Sequence, residues 1–191
     1  MDAIALIKAD HKTVEALFKQ FEQVKEAGDD ARKKSVVDEI SRELEAHADI
    51  EEEIFYPSVK AKAEDEGQEL VDEAVEEHHL VKVTLGELAS LPPSDEAFDA
   101  KVTVLIENVR HHVEEEEEEM LPQAEELLGA DRLAELGQRM AERKQELLGQ
   151  AGSSSGGEQT KEELYEQAKE QDIPGRSKMS KEELAREVGK G

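Results

Sequence analysis

Apolar residues recur along this chain every three or four positions, in stretches long enough for helices. A first helix is predicted over residues 2–27, where Val14, Phe18 and Phe21 follow His11 at helical spacing and Gly28 is the stop signal. A second runs from Asp30 to beyond Tyr56, with Val37, Ile40, Leu44, His47, Glu51 and Ile54 in one stripe. Gly67 is read as breaking the acidic stretch after it. A third covers about Leu70 to Leu91 and ends at Pro92-Pro93, which cannot continue it. Ser94 then serves as N-cap, with Asp95 and Glu96 in the first turn where the helix dipole favours them. The fourth helix carries Val102, Leu105, Val109, His112 and Glu116 toward Pro122. A fifth, Asp131 to Leu148, has Leu133, Leu136, Met140 and Leu147 at helical spacing and is expected to pack across the outside or the end of the others.

The pattern repeats. Leu44, Ile40 and Val37 stand three, seven and ten residues before His47, and Val109, Leu105 and Val102 stand at the same distances before His112. Val14, Phe18 and Phe21 follow His11 as Val81, Leu85 and Leu88 follow His78. His11 and His47 are 36 residues apart, His78 and His112 34. Two αα-hairpins related by a pseudo-two-fold, an antiparallel four-helix bundle, is the fold this predicts. The fold class is all-α.

Each apolar stripe is interrupted by the same polar residues. His47 and His112 are each followed by a Glu four residues on (Glu51, Glu116) and a Pro ten residues on (Pro57, Pro122). Four residues is about one turn, so each His and Glu share a helix face. Bringing the hairpins together converges His11, His47, Glu51, His78, His112 and Glu116 at one level. Four imidazoles and two carboxylates make a poor apolar core and a good donor set for two borderline metal ions, each held by two His and both bridged by the two Glu. Such a set leaves iron, manganese and zinc open and disfavours the hard ions magnesium and calcium. A ferritin-type di-iron bundle needs two Glu-x-x-His motifs, and only Glu76 with His79 is a candidate here. His79 and His111 lie about 100° around their helices from the inward positions and are read as surface residues. Glu115 and Glu119 occupy the places of Ile50 and Ile54 in the first copy. They are read as an exposed face, the alternative being an opening that relays protons or admits cations.

Composition adds three constraints. The formal charge is −25, of which residues 158–191 carry only −2, so the bundle repels nucleic acid and anionic membrane surfaces. There is no cysteine, which excludes a disulfide framework and a thiolate metal site. The N-terminus lacks a signal-peptide pattern and no stretch is long and apolar enough to span a bilayer, so a cytoplasmic location is expected.

Asp10-His11, His47-x-x-x-Glu51-Glu52 with Phe55-Tyr56-Pro57, Glu77-His78, and His112-x-x-x-Glu116-Glu117 with Leu121-Pro122 together resemble the hemerythrin-like, HHE cation-binding family over roughly residues 1–150. The resemblance implies a non-haem di-iron centre: two iron ions bridged by two carboxylates and an oxo or hydroxo oxygen. Oxygen-carrying hemerythrins have a fifth His four residues after the one on the third helix, and here that place is Lys82. The four-His, two-Glu set is more similar to family members associated with oxidative or nitrosative stress, whose small oxidant ligands are hydrogen peroxide, dioxygen or nitric oxide.

Residues 151–157, Ala-Gly-Ser-Ser-Ser-Gly-Gly, read as a flexible linker. In 158–191, Thr160-Lys-Glu-Glu163 and Ser180-Lys-Glu-Glu183 are capping boxes that open two short helices around Ile173-Pro174-Gly175. This module resembles the helix-extended-helix N-terminal domain of Rho. The resemblance implies contact with nucleic acid in some members. The local charge of −2 favours a docking role toward a protein partner over RNA or DNA, with Arg176, Lys178 and Lys181 as the candidate contacts. The alternative to a redox role for the whole chain is an iron or oxygen sensor, or an iron store, that signals through this module.

Overall fold

The computed structural model describes residues 1–154, with side chains through residue 149. The chain divides into two units, Met1–Leu148 and Gly149–Gly191, of which the first holds the bundle. The expected linker beyond Ser154, the Rho-like module and its Arg176, Lys178 and Lys181 lie outside the described residues.

The described chain is all-helical. Helix α1 (Ala3–Ala27) opens on Asp2, whose side chain accepts from the Ala5 amide, and closes on Gly28 at φ 69°. That left-handed position is one a Cβ strains, which is why Gly stands there. Helix α2 (Asp30–Ile50) is capped by Asp29 and passes without a break through a π turn, Glu51–Phe55, into α3 (Tyr56–Lys60). Helix α4 (Asp65–Ser90) ends where Leu91 becomes extended ahead of Pro92, the conformation a following proline favours. Helix α5 (Glu96–Glu115) leads through a second π turn, Glu116–Met120, into α6 (Leu121–Ser154).

Three boundaries differ from the sequence reading. Gly67 does not break a helix: it lies in the first turn of α4, and the break falls before Asp65. Glycine stands there because a Cβ would lie 2.8 Å from the Ala63 Cβ and 3.1 Å from Gln123 Oε1. The N-cap of α5 is Asp95, which accepts from the Ala97 amide at 2.8 Å, and not Ser94. Within α6, Gly129 (φ 71°, ψ 164°) leaves the helical path and sets off the predicted fifth helix from the one before it, but that fifth helix runs on past Leu148, its backbone helical through Ser154, inside the predicted linker.

Helices α1, α2, α4 and α5 form the bundle, and along each the core is divided in two. One apolar cluster holds Val14, Phe18 and Phe21 with Ile40, Leu44, Leu85 and Leu105. The other holds Ile7, Ile50, Phe55, Tyr56 and Val71 with Leu121, Leu136 and Met140. Burying each Phe or Leu contributes about 1.5–3 kcal/mol, so both clusters hold the helices firmly. On every bundle helix a histidine lies between the two: His11 between Ile7 and Val14, His47 between Leu44 and Ile50, His78 between Ala74 and Val81, and His112 between Val109 and Met120. Helix α6 crosses the start of α1 closely. A Cβ on Gly137 would stand 2.5 Å from the Asp2 carbonyl carbon.

Candidate metal centre

The histidines and two glutamates between the apolar clusters form one buried polar layer. His11, His47, His78 and His112 are 4–6 % exposed, Glu51 is fully buried and Glu116 is 2 % exposed. All six sequence-predicted residues therefore meet. His47 Nε2 and His78 Nε2 lie 3.3 and 3.4 Å from Glu51 Oε2, and His11 Nε2 lies 3.2 Å from Glu116 Oε2. His78 Nε2 and His112 Nε2 face each other at 3.1 Å. Two sets of donors could each hold a cation: His11, His47, Glu51 and Glu116, and Glu51, His78 and His112. Glu51 belongs to both.

While the Nε2 atoms point inward, each Nδ1 faces a carboxylate from another helix. His11 Nδ1 is 2.8 Å from Glu117, His78 Nδ1 is 3.0 Å from Glu52, and His112 Nδ1 is 2.7 Å from Glu77. His47 Nδ1 is 3.6 Å from Asp10, too far for a good hydrogen bond. The exchange is reciprocal and follows the repeat. The residue before the first His of each hairpin braces the second His of that hairpin, and the residue after each Glu braces the first His of the other. Carboxylates at Nδ1 fix the ring orientation and leave Nε2 as the inward donor, the usual arrangement around a metal-ligating imidazole.

Two cations brace the carboxylates in turn. Lys82, in the place of the fifth His of oxygen carriers, is drawn outward to Glu52 and Asp49 at 3.0 and 3.1 Å. Lys144 of α6 reaches Asp10 at 2.8 Å and Glu43 at 2.9 Å. The sequence reading missed these roles, and that of Tyr56, although the acidic neighbours stood in both copies of the repeat. The Tyr56 hydroxyl is 3.3 Å from both Glu51 Oε2 and Glu116 Oε1, and its ring stacks on His78. Nothing in the periodicity of Tyr56 points to this, since Leu121 stands at its place in the second copy.

The electrostatics of the layer are those of donors gathered without enough protons. Burial, with the charge of Glu116 behind it, pushes Glu51 well above the carboxylate range. Burial opposes the ionised form of Glu116 too, but His11, His112 and His47 hold it down at about 2. Burial lowers His47 to about 4 and lowers His78. Burial and the two carboxylates push Tyr56 well up, so it stays a hydrogen-bond donor. Four inward atoms, His11 Nε2, His47 Nε2, Glu51 Oε1 and Glu116 Oε2, have no hydrogen-bond partner. Native interiors rarely leave polar atoms in that state, and the residues that carry these four make up one of the two donor sets. The residues thus fit metal ions: the orphaned atoms converge, and the donor set is borderline in softness.

His79 and His111 are exposed, as predicted. Glu119 is exposed and Glu115 is partly so. Among the described residues no helix is long and apolar enough to cross a membrane. A cavity of about 20 Å³ adjoins the four histidines on the side of Val14, Leu44, Val81, Val109 and Val113. A cleft of about 380 Å³ between α1 and α5 reaches His11 and Glu117 from outside.

The family described as the hemerythrin HHE cation-binding domain matches residues 2–124. A DNA nickase of Nostoc sp. is 34% identical over 113 residues, covering 59% of this chain and 30% of the relative. An uncharacterized hemerythrin-like protein of Schizosaccharomyces pombe is 26% identical over 113 residues, 59% of this chain and 54% of the relative. The chain therefore spans about a third to a half of the length of these curated relatives. A crystal structure of a hemerythrin HHE cation-binding domain-containing protein from Mycobacterium kansasii is similar with a TM-score of 0.69 at 25% identity, over 81% of this chain and 91% of that one.

Proposed function

The chain belongs to the family of hemerythrin HHE cation-binding domains, and from that premise we propose that it is a non-haem di-iron protein that binds or reacts with small oxidants such as hydrogen peroxide, dioxygen or nitric oxide. The observation that carries this reading is the meeting of four buried atoms without hydrogen-bond partners, on His11, His47, Glu51 and Glu116, with Glu51 shared by a second donor set of His78 and His112. His11 and His47 would hold one ion and His78 and His112 the other, with Glu51 and Glu116 between them. Two iron ions there would supply one-electron redox chemistry toward a small ligand.

The residues of the chain set the terms for that ligand. The cavity of about 20 Å³ beside the histidines has room for about one water-sized molecule, and valines and Leu44 wall it. This favours a diatomic or a peroxide over any organic substrate. The Tyr56 hydroxyl, within reach of both carboxylates, is a proton held beside Glu51 and Glu116, outside the residues that line the cavity. Lys82 is engaged with Glu52 and Asp49 and supplies no further donor to the centre, which argues against the ligand set of oxygen carriers. The DNA nicking of the Nostoc relative is not extended to this chain, because a charge of −25 opposes a DNA substrate.

The test is metal analysis of protein purified without added metal, with optical spectra before and after hydrogen peroxide. Two irons per chain with oxygen release are expected for a peroxide-consuming enzyme. Two irons without turnover shift the reading to a binder or sensor of dioxygen or nitric oxide. Folded protein without metal, and of the same stability as His78→Ala and Glu116→Ala, would end the di-iron reading.

A further inference from the structure

A second set of donors meets outside the buried layer. Glu77 of α4 and His111 and Glu115 of α5 place one donor atom each within 4.8 Å of one another. His111 Nε2 is 3.4 Å from Glu115 Oε1, one turn along the same helix face. The three side chains are 23 %, 64 % and 41 % exposed in that order, so solvent reaches them.

Two independent observations point to a cation. The first is the broken symmetry of the repeat. The places of Glu77, His111 and Glu115 in the first hairpin are Asp10, Ala46 and Ile50. There Ala46 and Ile50 are buried, and Asp10 receives the ammonium of Lys144. Glu77, which braces His112 as Asp10 faces His47, has no Lys or Arg partner among the described residues. The second is a cavity of about 20 Å³ directly behind the group, lined by Glu73, Glu77, Glu115, His112, Glu116 and Met120. Glu77 and Glu115 of the outer group and His112 and Glu116 of the buried layer border it, and His111 does not. Glu116, 2 % exposed, reaches this cavity with its side chain while its Oε2 faces His11 at 3.2 Å.

We propose that Glu77, His111 and Glu115 form an outer site for a divalent transition-metal ion, the station from which ions load the inner layer at Glu116 and His112. One imidazole and two carboxylates suit Fe²⁺, Mn²⁺ or Zn²⁺ better than magnesium or calcium. Three solvent-reached donors leave positions for water, so the ion is exchangeable. Glu77 contributes to both sites: an ion on its outer side pulls on the carboxylate that orients His112. The loading role rests on the di-iron reading for its destination; the outer site does not.

The test uses the full chain with His111→Ala and Glu115→Gln, which leave Glu77 and the six inner residues intact and change only side chains that solvent reaches. Zn²⁺ is titrated calorimetrically into iron-filled protein, and Fe²⁺ loading of metal-free protein is followed by absorbance at limiting Fe²⁺. One Zn²⁺ beyond the inner complement is expected in wild type, bound at least about tenfold more weakly in either variant. Loading should slow by a similar factor, with the same final iron content. No extra Zn²⁺ in wild type, or variants that bind it equally, would overturn the outer site. Zn²⁺ binding lost with loading unchanged would overturn the loading role alone. Protein that takes up no iron would overturn the di-iron reading instead, and Zn²⁺ titration of that protein against the same variants would still decide the outer site.

Discussion

Glu51 shows how the layer trades stability for affinity. Its carboxylate is fully buried, 3.3–3.4 Å from two imidazoles, with Glu116 close enough to share the Tyr56 hydroxyl. In the metal-free fold, burial and the charge of Glu116 favour its protonated form. Its folded pKa is therefore above the unfolded one. The stability that this proton confers is fully present below the ordinary glutamate value of 4.5 and is lost as pH rises through the raised value. Glu51→Gln removes that penalty. The metal-free variant should melt above metal-free wild type at pH 7, an advantage that fades by about pH 4.5, while stabilisation by added metal is lost. Calorimetry at the two pH values, with and without metal, checks both halves. His47 runs the other way. Burial holds it neutral down to about 4, below the ordinary histidine value of 6.5, so between those values the unfolded chain takes up the extra proton. His47 should thus remove up to about 3 kcal/mol from metal-free stability as pH falls from 6.5 to 4, and no more below. Urea titrations of His47→Gln and wild type across that range would show whether the slope belongs to this residue.

The helices themselves were legible in the sequence, and the π turns were not. Periodicity placed His11, His47, His78 and His112 inward because a satisfied core does not repeat four imidazoles at matched positions. It could not show that both ligand-bearing helices leave the α-helical path at Glu51 and Glu116. A π turn adds one residue without changing the composition. The legible sign was the repeated proline: Pro57 and Pro122 would press on the carbonyls of Glu53 and Glu118 in a regular helix, and a widened turn relieves this. The inserted residue also sets the phase of the next turns, so that Tyr56 reaches the carboxylates and Leu121 the core. Deleting exposed Glu118 would restore the regular helix and rotate Leu121 and Ala124 by about 100°. The deletion should therefore abolish metal binding and most thermal stability, whereas Glu118→Ala should change stability by less than about 0.5 kcal/mol. Metal analysis and thermal melts of the two variants side by side check this. The close crossing of α6 was equally hidden, because a single Gly within a helix does not say what approaches it. The backbone of Asp2 and Ala3 would stand 2.5–2.6 Å from a methyl group at Gly137, so Gly137→Ala should cost about 3 kcal/mol. Denaturant melts would register that loss, and a variant as stable as wild type would mean that α6 does not pack so closely.

At the scale of the molecule, α6 decides which parts of a nearly symmetric design stay closed. It supplies Lys144 to Asp10 and a paired Arg143 to Glu53 of the first π turn, and it packs Leu136 and Met140 into the second apolar cluster. The second hairpin receives no such cover at Glu77, which is where its donors meet solvent. The asymmetry lay beyond a sequence repeat, since the matching residues of the two hairpins say nothing about which of them the extra helix will choose. It also locates what the bundle requires. The six inward residues, the four bracing carboxylates and Lys144 all lie within Met1–Leu148. A chain ended after Leu148 should hold the same metal, show the same spectrum and turn over peroxide at the same rate as the full chain. If the remainder docks a partner through Arg176, Lys178 and Lys181, that binding alone should disappear. Equal metal content with altered turnover would instead mean that residues beyond 148 act on the centre, and the redox and signalling readings of this chain would then have to be treated as one function.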